Sequence, residues 1–308
     1  MFKAIFSRLL QGLLVLFVLY TITFFLVKAM PGSPLSAEKA MPEHIKKKVE
    51  AYYDLDKPAA VQYVKQLGNF LSGDPGYSFR LEGKPVTDII RQAFPVSLQL
   101  GIVAMIIAVS VGVPAGCIAA ARKNSLIDTS AMFIAMIGIC LPSFVIGPIF
   151  SEIFGRSWGL VPALGWESGS PSTWLLPAFT LGLAYAAYLS RLTRAGMLET
   201  LSQDFVRTAR AKGVPGWRIL IRHCLRGGLI PAVAYIGPAF AGIVSGSLVI
   251  EMVFQLPGLG RHFIKAILTR DAPVILAIVM LYGSLVLIAN FLTDLAAVWL
   301  NPRLRKSS

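Results

Sequence analysis

Six stretches of the chain contain no Asp, Glu, Lys or Arg: Leu9–Val27, Gln92–Ala121, Thr129–Ser151, Ser168–Ser190, Gly227–Ile250 and Ala272–Thr293. Each is as long as the roughly 18–20 residues an α-helix needs to cross the hydrocarbon of a bilayer. Lipid offers the backbone no hydrogen-bond partner, so an open segment that crosses it satisfies its own N–H and C=O groups as a helix. The pattern predicts an all-α integral membrane protein with six transmembrane helices, spanning about 9–29, 97–121, 129–151, 172–190, 230–253 and 273–296, as a single membrane domain over 1–308.

The charged residues between these stretches orient them. Lys3 and Arg8 precede the first span, and Arg122 and Lys123 separate the second from the third. A basic series from Arg191 to Arg226 lies between the fourth and fifth, and Arg303, Arg305 and Lys306 close the chain. All four segments fall on one side of a six-span topology, which the excess of Lys and Arg in short loops marks as cytoplasmic. Both termini are therefore expected inside. The first apolar run is longer than a signal peptide's core, and the MPGSP after it lacks a small-x-small cleavage pattern, so it is expected to remain as a span.

The segment 31–94 is then extracytoplasmic. Ile45, Val49 and Tyr52/Tyr53 recur at helical spacing, as do Val61, Val64, Leu67 and Leu71 after Pro58. These predict two short amphipathic helices. SGDPGYS follows as a turn. The loop either caps the bundle or serves substrate binding.

Composition agrees with a membrane chain: 55% of the 308 residues are hydrophobic and only 15% charged. A soluble domain carries about 25% charged residues. The net charge of +13 flanks spans instead of covering one soluble surface with interleaved aromatics, which argues against nucleic acid as a partner. Cys117, Cys140 and Cys224 are scattered, as are His44, His223 and His262, so neither a disulfide nor a metal site is suggested. G-x-x-x-x-G-K-[ST] and H-E-x-x-H are both absent, and no enzyme is predicted. The expected localisation is a cytoplasmic membrane, crossed six times.

One segment is out of keeping with its surroundings. Within the cytoplasmic loop 191–229, DFVRTARAKG (204–213) sets basic residues among small ones. Ser202 is a candidate N-cap, and Asp204 suits the positive end of the helix dipole. Gly213 is a natural stop, reinforced by Pro215. Phe205 and Ala209 stand on one face, with Thr208 beside them. Arg207, Arg210 and Lys212 take much of the rest. A helix of two to three turns is too short to stand alone and needs a surface to rest on. That surface is either a partner protein or the lipid headgroups.

This segment, with the downstream HCLRGGLIP, resembles the cytoplasmic "EAA" loop of binding-protein-dependent ABC importer permeases, in the dipeptide/oligopeptide/nickel branch. The resemblance extends over nearly the whole chain. It includes PGSP after span 1, YDLDKPAAVQYVKQLGNFLSGDPGYSF outside, LPSFVIGP in span 3 and LGLAYAAYLSRLTRAGMLE at span 4. VIEMVFQLPGLG after span 5 and the closing NPRLR continue it. PGSP, FPVS and MPEHIKKKVEAYYDLDKP are most similar to the first (B-type) permease subunit of the oligopeptide branch.

The resemblance implies a type I ABC importer permease fold and an oligopeptide substrate, with dipeptide or nickel as alternatives. It also implies a second homologous permease, two cytoplasmic ATPase subunits and an extracytoplasmic peptide-binding protein. ATP and Mg would be bound by the ATPases and no cofactor by this chain. The ATPase-coupling role carries onto Asp204, Phe205, Val206, Arg207, Thr208, Ala209, Arg210, Ala211, Lys212 and Gly213. The family's Glu-Ala-Ala reads Arg207-Thr208-Ala209 here, so its acid is missing, while Gly213 matches the family's glycine.

Other readings of the residues compete with this one. An ATP-independent secondary transporter normally places ionisable groups deep in its spans, and the middle of each predicted span here lacks them. A passive scaffold would have unbroken apolar spans, whereas Gly112, Pro114, Pro142, Pro148, Pro177 and Pro238 interrupt these. Gly112/Gly116 and Gly242/Gly246 form GxxxG patterns that allow close helix approach, and packing is the reading favoured for the first pair. Gly242, Ser245, Gly246 and Ser247 in span 5 either line a translocation path or seat a neighbouring helix. Glu251 is expected at the outer rim, snorkelling to water, contacting substrate or pairing with Arg261.

Overall fold

A computed structural model describes residues 2–30, 49–81, 83–167 and 169–300, and its regular elements are helices. In chain order they are α1 (Phe2–Ala29), α2 (Ala59–Leu71), α3 (Val86–Ala121), α4 (Leu126–Cys140), α5 (Ser143–Phe150), α6 (Pro171–Leu201), α7 (Asp204–Ala211), α8 (Ile230–Val253), α9 (Leu259–Thr269) and α10 (Ala272–Leu300). α5 runs on as a π-helical turn, Ser151–Ser157. A second π-helical stretch, Ile219–Cys224, joins the short helical turns Gly216–Arg218 and Leu225–Gly228. Ile45 and the first half of the expected amphipathic helix lie outside the described residues, as does NPRLR; Val49–Tyr53 is helical.

Among the described residues, five helices are long and apolar enough to cross a membrane: Phe6–Ala29, Val86–Ala121, Pro171–Leu201, Ile230–Val253 and Ala272–Ala296. The stretch expected as one helix over 129–151 is instead a bent pair, Leu126–Cys140 and Ser143–Ser157, meeting at 102°. Leu141 is extended there (φ −85°, ψ 120°). The ring of Pro142 excludes the residue before it from the α region, so the helix stops and restarts. Counting the pair as one span gives six.

The chain forms two compact units. The first comprises residues 6–97 and 257–285. Its core gathers Val86, Ile89 and Ala93 from the start of α3, Leu259 and Ala266 from α9, and Val274, Ile275 and Ile278 from α10. α2 lays Tyr63, Leu67 and Phe70 against Tyr20 and Phe24 of α1, and Tyr63 shares a 2.8 Å hydrogen bond with Thr21. The inward stripe is thus 63/67/70, and Val61, Val64 and Leu71 are exposed. Two aromatic rings bury more apolar area than two valines, which decides between the competing stripes.

The SGDPGYS turn is held from three sides. The Tyr53 hydroxyl donates to the Tyr77 carbonyl and accepts from its N–H, and the Tyr52 hydroxyl donates to Asp74. Gly76 has φ +84°, and a Cβ there would meet the Tyr53 hydroxyl at 2.0 Å. Just beyond, buried Asp271 accepts from the Ser78 hydroxyl and from the Phe79 N–H. Burial outweighs these bonds and pushes its carboxyl above the usual range. The first N–H of α9, at Leu259, is satisfied at 2.8 Å by the Ser97 hydroxyl of α3.

The second unit comprises residues 1–5, 98–256 and 286–308 and is organised around α6. Its neighbours approach α6 at backbone distance. A Cβ on Gly112 would lie 2.4 Å from the Ala186 carbonyl, one on Gly116 2.4 Å from that of Ser190, and one on Gly182 2.6 Å from that of Ala104. Gly112 and Gly116 are therefore packing glycines. Small residues four apart let helices that gain nothing from burial in lipid bond through close contact instead.

Candidate functional site: the basic helix and its anchorage

α7 is eight residues long, Asp204–Ala211. Its N-cap position is Gln203, extended and without a side-chain cap bond. Ser202 does not cap it: its hydroxyl turns back to the Glu199 carbonyl at the end of α6, because Ser202 still has α-helical angles and an N-cap needs extended ones. Asp204 and Arg207 form a solvated ion pair at 3.5 Å.

The C-terminus closes as the pattern implied. Gly213 sits at φ +75°, its N–H bonds to the Arg210 carbonyl, and the Val214 N–H bonds to the Ala209 carbonyl. That pair of bonds is the Schellman arrangement, which satisfies carbonyls the helix itself leaves open.

The inward face is Val206 with Ala209, not Phe205 with Ala209. Val206 is wholly buried and Ala209 nearly so, against Ala120, Met197, Ile219 and Cys224. Phe205 stands 48% exposed, beside exposed Arg207 and Thr208; Arg210, Ala211, Lys212 and Gly213 are exposed too. The amphipathic helix is pinned to its own chain by two small apolar residues and turns an aromatic ring and its cations outward.

The surface beneath α7 is stiff. A Cβ on Gly196 of α6 would lie 2.4 Å from the Gly228 carbonyl, and one on Gly228 would lie 2.3 Å from the Met197 sulfur. Two residues before Gly196, Arg194 grips Asp128 of α4 with a two-pronged contact, Nε–Oδ1 2.5 Å and a terminal nitrogen to Oδ2 at 2.7 Å. Asp128 also accepts from the Asn124 N–H at 2.9 Å, while its own N–H bonds to Ser125. The Asp128 side chain is 3% exposed and that of Arg194 26%. Arg194 falls within the basic series that marks the cytoplasmic loop, and the sequence does not pair it with Asp128. The local signal was Ser125-x-x-Asp128, a helix-start pattern of the capping-box kind.

The five span-5 candidates do not share a face. Gly242, Ser245 and Gly246 lie on the side facing Tyr185 of α6, where a Cβ on Gly242 would meet the Tyr185 hydroxyl at 2.4 Å. Ser245 is exposed there and bonds back to Ala241 and Gly242. Ser247 and Glu251, one turn apart, are fully buried on the other side. Glu251 therefore does not snorkel. After the helix end, Phe254 and Leu256 are also fully buried, and the Leu256 N–H bonds to the Glu251 carbonyl.

Residues 112–306 match the family of the "binding-protein-dependent transport system inner membrane component", and residues 1–101 match that family's N-terminal membrane component. The chain belongs to this family. Among its relatives, the oligopeptide transport system permease protein OppB of Haemophilus influenzae is 43% identical over 99% of this chain and the full length of its own. OppB of Salmonella typhimurium is 40% identical over the same shares. The dipeptide transport system permease protein DppB of Bacillus subtilis is 40% identical, over 94% of this chain and 93% of its own.

A solved structure of the MetNI methionine ABC transporter in an inward-facing conformation carries the same fold. The match has a TM-score of 0.57 at 17% identity and covers 69% of this chain and 96% of that one. As a family member, the chain is a multi-pass inner-membrane permease component without catalytic activity of its own. Its transport system depends on a binding protein and an ATPase.

Proposed function

We propose that the chain forms half of the translocation pathway of an ATP-driven oligopeptide importer and receives the ATPase stroke through α7. The observation that carries this reading is the division of α7 into two faces. Val206 and Ala209 are buried against Met197 of α6, and Phe205, Arg207 and Thr208 are exposed, free to meet a partner. The other half of the path comes from a second homologous permease. Two cytoplasmic ATPases bind ATP and Mg, and an extracytoplasmic binding protein delivers peptide. Closure of the ATPases draws the two loop helices together and opens the spans outward; hydrolysis resets them.

Of the span-5 residues, Gly242, Ser245 and Gly246 are the better candidates for the path, since Ser245 is exposed whereas Ser247 and Glu251 are fully buried. The oligopeptide substrate rests on the names of the OppB relatives, and the DppB relative supports a dipeptide as second reading. Reconstitution of the assembled transporter in liposomes tests both. Phe205→Ala with Arg207→Ala should leave the chain inserted and lower peptide uptake per ATP hydrolysed at least about tenfold, the scale of removing a well-buried interface anchor. Uptake at the normal rate would sink the coupling role, and uptake of dipeptides alone would shift the substrate.

A further inference from the structure

Beside α7 lies a cavity of about 610 Å³ whose walls, Arg210 apart, the transport reading does not use. Arg122 and Lys123, just past the end of α3, line it together with Arg210 of α7. None of the three is in an ion pair among the described residues. Asp128, which feels the charge of Lys123, is committed to Arg194 and to the Asn124 N–H. Apart from Ser202, the remaining side chains of the wall are apolar, among them Leu198 and Leu201 from the last turn of α6, and Trp217. Trp217 is 63% exposed, with the Arg218 guanidinium 5.3 Å over its ring, and Ile221 one turn on is 58% exposed.

We propose that this cavity holds the phosphate of an anionic phospholipid from the cytoplasmic leaflet. Two span helices, Val86–Ala121 and Pro171–Leu201, end at it on the side their flanking cations mark as cytoplasmic. Its α3 wall, at Ala120 and Ala121, therefore meets the headgroup layer where the span over 97–121 ends. Three cations that form no ion pair among the described residues supply the charge for a phosphate, and basic pockets between spans on this side suit anionic headgroups. A free anion would have no use for the leucine wall or for the outward Trp217 and Ile221. An acyl-bearing phosphate covers them, with the indole at the interface where tryptophan is favoured. The size is that of a small-molecule site. Because Arg210 belongs to α7, a lipid seated here would also steady the helix that the transporter moves.

The test uses the full chain in an uncharged detergent, titrated with dioctanoyl-phosphatidylglycerol or dioctanoyl-phosphatidylcholine and read by native mass spectrometry. Phosphatidylglycerol should bind at least tenfold more tightly than phosphatidylcholine. Arg122→Gln with Lys123→Gln should weaken it about thirtyfold, at about fivefold for each cation lost. Equal binding of the two lipids overturns the proposal, and this comparison needs no variant, so a poorly inserting double mutant does not remove the test. Displacement of the lipid by equimolar inorganic phosphate would make this a soluble-anion site, and displacement by the ATPase a protein contact. Either result also overturns it.

Discussion

The Asp128–Arg194 contact makes a measurable claim. Asp128→Asn removes the charge but preserves the shape. The amide can still accept from the Asn124 N–H and from one arm of Arg194, so one of two charge-assisted bonds is lost and the other is weakened. A hydrogen bond to a charged group contributes about 1.5–3 kcal/mol, and breaking a buried pair costs about 3–5 kcal/mol. Arg194, a quarter exposed, regains some hydration, which places the expected cost near 2–3 kcal/mol. At about 2–4 °C per kcal/mol for a chain of this size order, the thermal midpoint in detergent should fall roughly 5–10 °C. Arg194→Gln should cost more, because it strands a carboxylate only 3% exposed. The double variant should fall well short of the sum, with an interaction energy of about 2 kcal/mol. Additive single effects, or an Asp128→Asn midpoint within about 1 °C of wild type (under about 0.5 kcal/mol), would refute the clamp.

Three further outcomes follow from particular positions. At Gly213 (φ +75°) a side chain meets nothing within 4 Å, so Gly213→Ala should cost only the left-handed backbone penalty of about 1 kcal/mol. Gly213→Pro, whose φ is locked near −65°, should cost more and uncouple ATP hydrolysis from uptake, as thermal melts and transport per ATP would record. A Cβ on Gly116 would lie 2.4 Å from the Ser190 carbonyl and 2.7 Å from the Thr193 Cβ. Gly116→Val should therefore push α3 from α6 at roughly 1–3 kcal/mol, visible as lower yield and midpoint. Asp271 has its carboxyl raised above 3.8 by burial, so the folded state holds this proton more tightly than the unfolded one. Its contribution is full below pH 3.8 and is lost as pH rises through the folded value. Melting curves of wild type minus Asp271→Asn should decline upward from that pH, and a rise would contradict the assignment.

The spans were legible because lipid imposes one solution, a charge-free helix, on any open segment crossing it. Closer detail depended on contacts that no local pattern contains. α3 begins at Val86, not near 97, because Asp88 and Arg91 lie outside the charge-free window yet cost a helix nothing in water. The bend at Leu141 was written in the proline after it, but a window without charges looks the same whether it runs straight or turns. For α7 the stripes 205/209 and 206/209 fit the same eight residues. Met197, Ile219 and Cys224 choose between them, and their approach is a tertiary fact. Asp128 and Arg194 are 66 residues apart, with nothing local to join them. Glu251 does lie near the end of its helix, but its burial is likewise a tertiary fact that its place in the sequence does not announce.

The anchorage of α7 bears on how a stroke would travel, on the proposal that α7 docks on the ATPase. A helix tethered by long side chains could shift while those side chains changed rotamer, absorbing the motion. Here the contacts are Val206 and Ala209 against Met197, and next to them Gly196 against the Gly228 carbonyl, where no side chain is present to yield. Closely packed interiors behave as discrete arrangements and do not deform continuously. A push on Phe205 therefore passes to the end of α6 as a rigid displacement. Arg194 stands within a turn of that point and joins α6 to α4 by two hydrogen bonds. Weakening the Arg194 contact should thus lower uptake per ATP even in a variant whose α7 still docks, which separates transmission of the stroke from its reception.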